Sequence, residues 1–246
     1  MPILIEVSSN LIVRGLSSSY IEKYLAIGTK PNPAHRNWVL RGFKNLKDRN
    51  IIQDEPPTML KTVEQLGSTL IMYRGWLDKL IKDHPDAKIV DNRVSPPSSQ
   101  PFQFKEDLII RDYQRKGIES IKEKGSGLLV YPTGAGKTVT AIKLAAELNL
   151  KTLFLVNTDV LVEQVQTEAG RLLNQEIGLI KGSVANIKDF TVASVQTLVR
   201  NRAHLYANTF GLVFQDECHL AAAETFQQVL SQLNAKYVVG LSGTPD

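Results

Sequence analysis

Leu128-Leu129-Val130-Tyr131-Pro132-Thr133-Gly134-Ala135-Gly136-Lys137-Thr138 decides the reading of this 246-residue chain. The stretch runs from an apolar strand into a glycine-bearing loop and then a helix that opens on Lys-Thr. Loop N–H groups and a helix N-terminus aimed at one point make an anion site, and a lysine there can reach the outer oxygens of a triphosphate. Lys137 is therefore expected to neutralise the β- and γ-phosphates. Pro132, Thr133, Gly134, Ala135 and Gly136 are expected to form the cradle, and the Thr138 hydroxyl to ligate Mg2+. The strict Gly-x4-Gly-Lys-Thr spacing would place glycine at 131, where this chain has tyrosine.

Outward from the loop, short apolar strands at 127–131, 152–156, 190–194, 212–215 and 237–241 alternate with helical patterns at 111–122, 138–148, 160–173 and 224–233. That alternation predicts an α/β fold with a parallel sheet covered by helices on both faces. Ligands of such sheets bind at the carboxyl ends of the strands, where the loop lies. Val213-Phe214-Gln215-Asp216-Glu217-Cys218-His219 is a second strand end of this kind, 79 residues after Lys137. Asp216 suits Mg2+, which takes one or two carboxylates together with phosphate oxygens and water. Glu217 is placed to orient or deprotonate an attacking water. The pair of elements points to nucleoside triphosphate hydrolysis.

Three prolines and three serines in residues 95–101 read as a linker. Before it, strands at 3–7, 11–14, 69–73 and 88–90 and helices at 19–26 and 76–82 suggest a small α+β domain over 1–94, followed by the sheet domain over 102–246. Residues 1–100 carry 14 Lys/Arg against 10 Asp/Glu, and the remaining residues balance at 15 of each, so the whole net charge of +4 belongs to the first part. Lys30, Arg36, Arg41, Lys44, Lys47 and Arg49 crowd into residues 30–49, a cluster that can attract a polyanion or simply face solvent. Trp38 and Phe43 interleave with it as base-stacking candidates or core residues.

Several classes are excluded. No apolar run reaches membrane-spanning length and no basic-then-apolar leader opens the chain. One cysteine, Cys218, cannot pair internally, which fits a reducing cytoplasm. Zinc spacing is lacking around His219, and neither a Gly-x-Ser-x-Gly element nor a Cys/His nucleophile pair is present to support acyl transfer.

Leu108-Ile109-Ile110-Arg111-Asp112-Tyr113-Gln114, the Pro132–Thr138 loop, Asp216-Glu217-Cys218-His219 and Ser242-Gly243-Thr244-Pro245 follow one another as in superfamily 2 helicases of the DEAH/DECH type. The chain resembles that superfamily over 108–246, and is closest in flavour to phage-encoded DNA helicases that remodel branched DNA. The resemblance accommodates Tyr131, since that loop has no fixed first glycine. It implies a RecA-like ATP-binding domain. Arg111 and Gln114 would then contact ATP, with Gln114 reading adenine. Thr158, Ser194 and Gln196 would contact nucleic acid, with Asn157 standing where proline is usual. His219, Ser242 and Thr244 would couple hydrolysis to strand movement. For the hydroxyl groups, helix capping is the competing expectation. The resemblance also implies a second RecA-like domain supplying arginines, which these residues do not include, so the chain reads as an N-terminal half with weak hydrolysis of its own, in a host cytoplasm if phage-encoded. Asn32-Pro33 and Tyr73-Arg74-Gly75 resemble the accessory domain of some phage helicases, which makes Arg36, Arg41 and Lys44 the DNA-binding candidates there. The expected activity is ATP-dependent remodelling of duplex or branched DNA. Alternatives are an RNA helicase, the motor of a restriction-type complex, or a nucleic-acid-binding module with an inert ATP site.

Overall fold

The computed structural model describes residues 2–31, 59–105, 108–200, 202–218 and 223–243. Arg36, Trp38, Arg41, Phe43 and Lys44, and also His219 and Thr244, lie outside the described residues. The chain divides into two compact units, Met1–Asn92 and Arg93–Asp246.

In the first unit a five-stranded sheet has the order β5-β6-β2-β1-β7, built from β1 (Leu4–Val7), β2 (Leu11–Arg14), β5 (Val63–Leu66), β6 (Thr69–Met72) and β7 (Lys88–Asp91). Only the β1–β7 pair is parallel. β1 and β2 alternate buried and partly exposed residues, the period-2 signature of a sheet with one covered face. Ile5, Val7, Leu11, Val13, Leu70 and Met72 on that face pack with Ile21 and Tyr24 of helix α1 (Ser18–Gly28) and Leu80 of α2 (Leu77–Asp83). α1 ends hard against β5: a Cβ on Gly28 would stand 2.8 Å from Val63 Cβ. Two short strands, β3 (Thr29–Pro31) and β4 (Met59–Lys61), pair with each other. The α+β character expected of this unit is present; β3, β4 and β5 were not anticipated, because their three or four residues carry no alternation long enough to read.

The second unit is a seven-stranded sheet of order β11-β10-β12-β9-β13-β14-β8. Its strands are β8 (Ser126–Val130), β9 (Thr152–Val156), β10 (Gly178–Lys181), β11 (Val184–Asn186), β12 (Phe190–Ser194), β13 (Leu212–Gln215) and β14 (Tyr237–Ser242). All neighbours run parallel except β11, which folds back on β10. β9 is buried at every residue, as a central strand covered on both sides must be. Phe154 and Val156 enter the core beneath α3 (Asp112–Lys124), α4 (Lys137–Leu148) and α5 (Asp159–Leu173). Leu153 and Leu155 enter the core beneath α6 (Val195–Val199) and α7 (Ala223–Leu230). This is the doubly covered parallel sheet that the strand–helix alternation predicts. The β10–β11 hairpin is an addition, four and three residues long at the sheet edge and bare of strong apolar pattern.

Residues 95–101, expected as a linker, belong to the second unit and are fastened to it. Val94 N donates to Asn234 O at 2.8 Å, and Lys236 N to Val94 O at 2.8 Å. Lys151 N donates to Pro96 O at 2.9 Å. The Ser98 hydroxyl donates to Asn149 Oδ1 at 2.7 Å, and both the amide and the hydroxyl of Ser99 donate to the Asp189 carboxylate. Every anchor lies just before β9, β12 or β14, so the segment is a strap across the amino ends of the strands, at the end of the sheet opposite the Pro132–Thr138 loop. Prolines cannot donate, and the strap is held by its carbonyls, its serine hydroxyls and the amides of Val94, Ser98 and Ser99.

Candidate functional site

Because the strands are parallel, the segments that follow β8, β14, β13, β9 and β12 all emerge at one rim. The loop after β8 turns through Gly134 (φ +80°) and Gly136 (φ +82°), conformations that side chains rarely adopt, and α4 begins at Lys137. Around Gly134 there is open space within 4 Å of an added Cβ. A Cβ on Gly136 would lie 2.7 Å from Gln114 Nε2. Lys137 is mostly enclosed, its side chain 12% exposed, and its Nζ lies 4.0 Å from Glu217 Oε1.

Asp216 and Glu217 follow β13 directly. Asp216 is buried, its N–H donates to Leu155 O at 3.0 Å, and its Oδ1 accepts the Glu217 N–H at 3.0 Å. Glu217 sits at φ +48°, in the left-handed region, at a cost on the order of 1 kcal/mol for a side chain with a Cβ. Its neighbour Cys218 is tied to β14 by an N–H donated to Leu241 O at 3.0 Å, and burial first, then Glu217 and Asp216, pushes the Cys218 thiol up. Ser242 is buried at the end of β14, opposite Val130, and its carbonyl accepts Tyr131 N–H at 3.0 Å. A Cβ on the next residue, Gly243, would stand 3.4 Å from Lys137 Nζ and 3.6 Å from Thr133 Oγ1. The structure therefore gathers Thr133, Lys137, Glu217 and the Ser242–Gly243 corner, with Asp216 and Thr138 adjacent in the chain.

Gln114 is buried and joins the start of its own helix to the loop's backbone. Its Oε1 accepts Arg111 N–H at 2.9 Å, and its Nε2 donates to Ala135 O and Gly136 O, each at 3.3 Å. Tyr113, which the sequence did not single out, donates its hydroxyl to Ala135 O at 2.8 Å. Tyr131 occupies the site of the absent glycine as a core residue, its hydroxyl donating to Tyr113 O at 3.3 Å. Burial foremost raises the Tyr131 phenol above its ordinary range. The helix above has no side chain in the way at Gly117, where a Cβ would come within 2.2 Å of the Tyr131 hydroxyl.

The nucleic-acid candidates form a second group on the same rim. Thr158 caps α5, its Oγ1 accepting Leu161 N–H at 3.4 Å. Ser194 is 5% exposed and donates to Gln196 Oε1 at 2.9 Å; exposed Gln196 donates Nε2 to Asn157 O at 2.8 Å. Ser194 thus supports Gln196 from below, and the cap foreseen for Thr158 is what the structure shows there.

A glycine-shaped loop, an enclosed lysine and paired carboxylates thus meet at the strand ends of a parallel α/β sheet. The chain belongs to the family described as "Type III restriction enzyme, res subunit", whose profile matches residues 107–246. It is 32% identical over 208 residues to a DNA 3'-5' translocase, XPB2, of Sulfurisphaera tokodaii, over 84% of this chain and 46% of that protein. It is 35% identical over 178 residues to a probable helicase of Escherichia phage T5, over 69% of this chain and 38% of that protein. The crystal structure of the UvsW helicase from bacteriophage T4 superposes with a TM-score of 0.68 over 99% of this chain and 93% of that one; at 19% identity the likeness is one of fold. These matches bear out the superfamily 2 helicase resemblance and the RecA-like fold. The chain spans about half the length of the first of these curated relatives, 46%.

Proposed function

We propose that this chain is the ATP-binding part of an ATP-dependent DNA helicase or translocase. The observation that carries the proposal is the approach of Lys137 Nζ to Glu217 Oε1, 4.0 Å apart at the mouth of the loop. The donor set suits a triphosphate: loop amides and an ammonium on one side, acceptor carboxylates on the other. Among the described residues no group of three or more His, Cys, Asp or Glu could hold a metal by itself. A cation bound by Asp216 and Thr138 would accordingly share the nucleotide's oxygens, as Mg2+ does. When bound, Mg2+ supplies neutralisation of the charge between the outer phosphates. Lys137 would hold the β- and γ-phosphates and Glu217 would orient the attacking water and accept its proton. Gln196, with Thr158 beside it, would face the nucleic-acid backbone, and Ser194 would position Gln196. His219, Ser242 and Thr244 would couple the two events. The basic residues Arg36, Arg41 and Lys44 would add a second grip on DNA, and a further RecA-like domain would close the site with its arginines. The similarity to a DNA translocase supports DNA as the track.

DNA-stimulated ATP hydrolysis by the intact protein, with Lys137→Ala as control, tests the proposal. Stimulation lost in the variant is expected; no stimulation of folded protein by single-stranded, duplex or branched DNA overturns it. A second reading, RNA as the track, is favoured by one relative, a putative ATP-dependent RNA helicase of Acanthamoeba polyphaga mimivirus, 35% identical over 177 residues. Backbone contacts dominate both readings, and stimulation by matched DNA and RNA separates them.

A further inference from the structure

The phosphate loop is held from outside by two tyrosines. Tyr113 stands at the start of α3, 38% exposed, and its hydroxyl donates to Ala135 O at 2.8 Å while accepting from Arg111 Nη1 at 3.2 Å. The Arg111 charge polarises that hydroxyl and strengthens the bond it gives. Tyr131, at the foot of the loop, reaches back with its own hydroxyl to Tyr113 O at 3.3 Å, and the two rings meet edge to face with centroids 5.2 Å apart. Ala135 O also receives Gln114 Nε2 at 3.3 Å. The Ala135 carbonyl is thus committed to α3. A peptide fixed by its carbonyl has its N–H fixed on the opposite side, and a carbonyl turned into an anion cradle would repel phosphate.

We propose that Tyr113, backed by Tyr131, is a positioning residue that keeps the loop in its anion-accepting form before any nucleotide arrives. The inference rests on the phosphate-site reading above. It assigns Tyr113 to the loop and to no part of the base, so its effect falls on every polyphosphate alike.

The test measures the affinity of the chain for a fluorescent ATP analogue and the displacement of that analogue by inorganic tripolyphosphate. Tyr113→Phe keeps the ring contact and deletes the hydroxyl. Binding of both ligands is expected to weaken together by about two- to tenfold, the range for losing one hydrogen bond. In the intact protein KM for ATP rises by the same factor while kcat holds. Tyr131→Phe is expected to weaken both ligands in the same proportion to each other, and carries the test if the first variant does not fold. Unchanged affinity in folded Tyr113→Phe overturns the brace while leaving the phosphate site standing. Weakened ATP binding with unchanged tripolyphosphate binding overturns it too, since that pattern marks a base contact. If the unaltered chain binds neither ligand, the phosphate-site reading fails and the brace with it.

Discussion

Lys137 and Glu217 reach each other across an intervening strand. Lys137 follows β8 and Glu217 follows β13, and β14 runs between those two strands in the sheet, yet Nζ and Oε1 come within 4.0 Å. The left-handed turn at Glu217 (φ +48°) redirects its side chain along the rim as soon as the strand ends. Lys137 is mostly enclosed, its side chain 12% exposed, while Glu217 at 30% keeps contact with solvent.

Separate variants should split binding from hydrolysis. Glu217→Gln keeps the shape and removes the base, and is expected to lower ATP hydrolysis by the intact protein about a hundredfold or more, from the lower end of the range for general base catalysis upward, while ATP binding persists. Lys137→Ala is expected to lose both. Calorimetric binding measured beside steady-state hydrolysis checks the division.

Gly136 carries two constraints at once, φ +82° and a Cβ position 2.7 Å from Gln114 Nε2. Gly136→Ala is expected to displace Gln114 and cost about 1–3 kcal/mol locally. ATP affinity should fall more than the melting temperature, because the strain sits in a surface loop. Binding and thermal melts of the same preparation check it.

The strap makes stability depend on pH. Burial opposes ionisation of Asp189, but hydrogen bonds from the Ser99 hydroxyl and amide, and from the Gln100 amide, outweigh it and hold the carboxyl below its ordinary 3.8. A carboxylate favoured in the folded state contributes stability that is fully present above 3.8 and is lost as pH falls below it through the folded value. Asp189→Ala is expected to cost about 1 kcal/mol at neutral pH, discounted for partial exposure, and the gap from the unaltered chain should narrow as pH falls below that point. Melting curves across the acid range measure it.

The β10–β11 hairpin depends on Gly178, where a Cβ would lie 2.7 Å from both Asn186 O and Lys188 N. These are backbone atoms and cannot swing aside. Gly178→Ala is expected to destabilise the second unit by about 1–3 kcal/mol. The outermost amides, Val184–Asn186, should exchange hydrogen faster while those of β9 do not, as native-state exchange would show.

Much of the second unit was legible in the chain because its elements repeat a local rule. The runs at 152–156, 190–194 and 212–215 are mostly apolar and buried at every residue because both faces are covered, and their few polar residues, Thr152, Thr191, Ser194 and Gln215, impose no alternation. The first unit was less legible because its strands are three or four residues long and one-faced. The fastening of the strap was not legible for a different reason. Ser-Pro-Pro-Ser-Ser looks the same whether its hydroxyls meet water or Asn149 and Asp189, since those partners lie 51 and 90 residues away.

The candidate residues Lys137, Thr138, Asp216 and Glu217 were legible in the sequence alone, because glycine geometry and charge at a strand end are local demands that only a few residue types meet. Which side chains hold that site in shape was decided by tertiary structure. Tyr113 has an ordinary place in an amphipathic helix until folding sets its hydroxyl 2.8 Å from Ala135 O, and the Gln114 Nε2 has no partner named by the sequence until the loop carbonyls of Ala135 and Gly136 take it. Hydrogen bonds between residues some twenty positions apart depend on distances that the packing of α3 against the β8 loop creates and that no periodicity records.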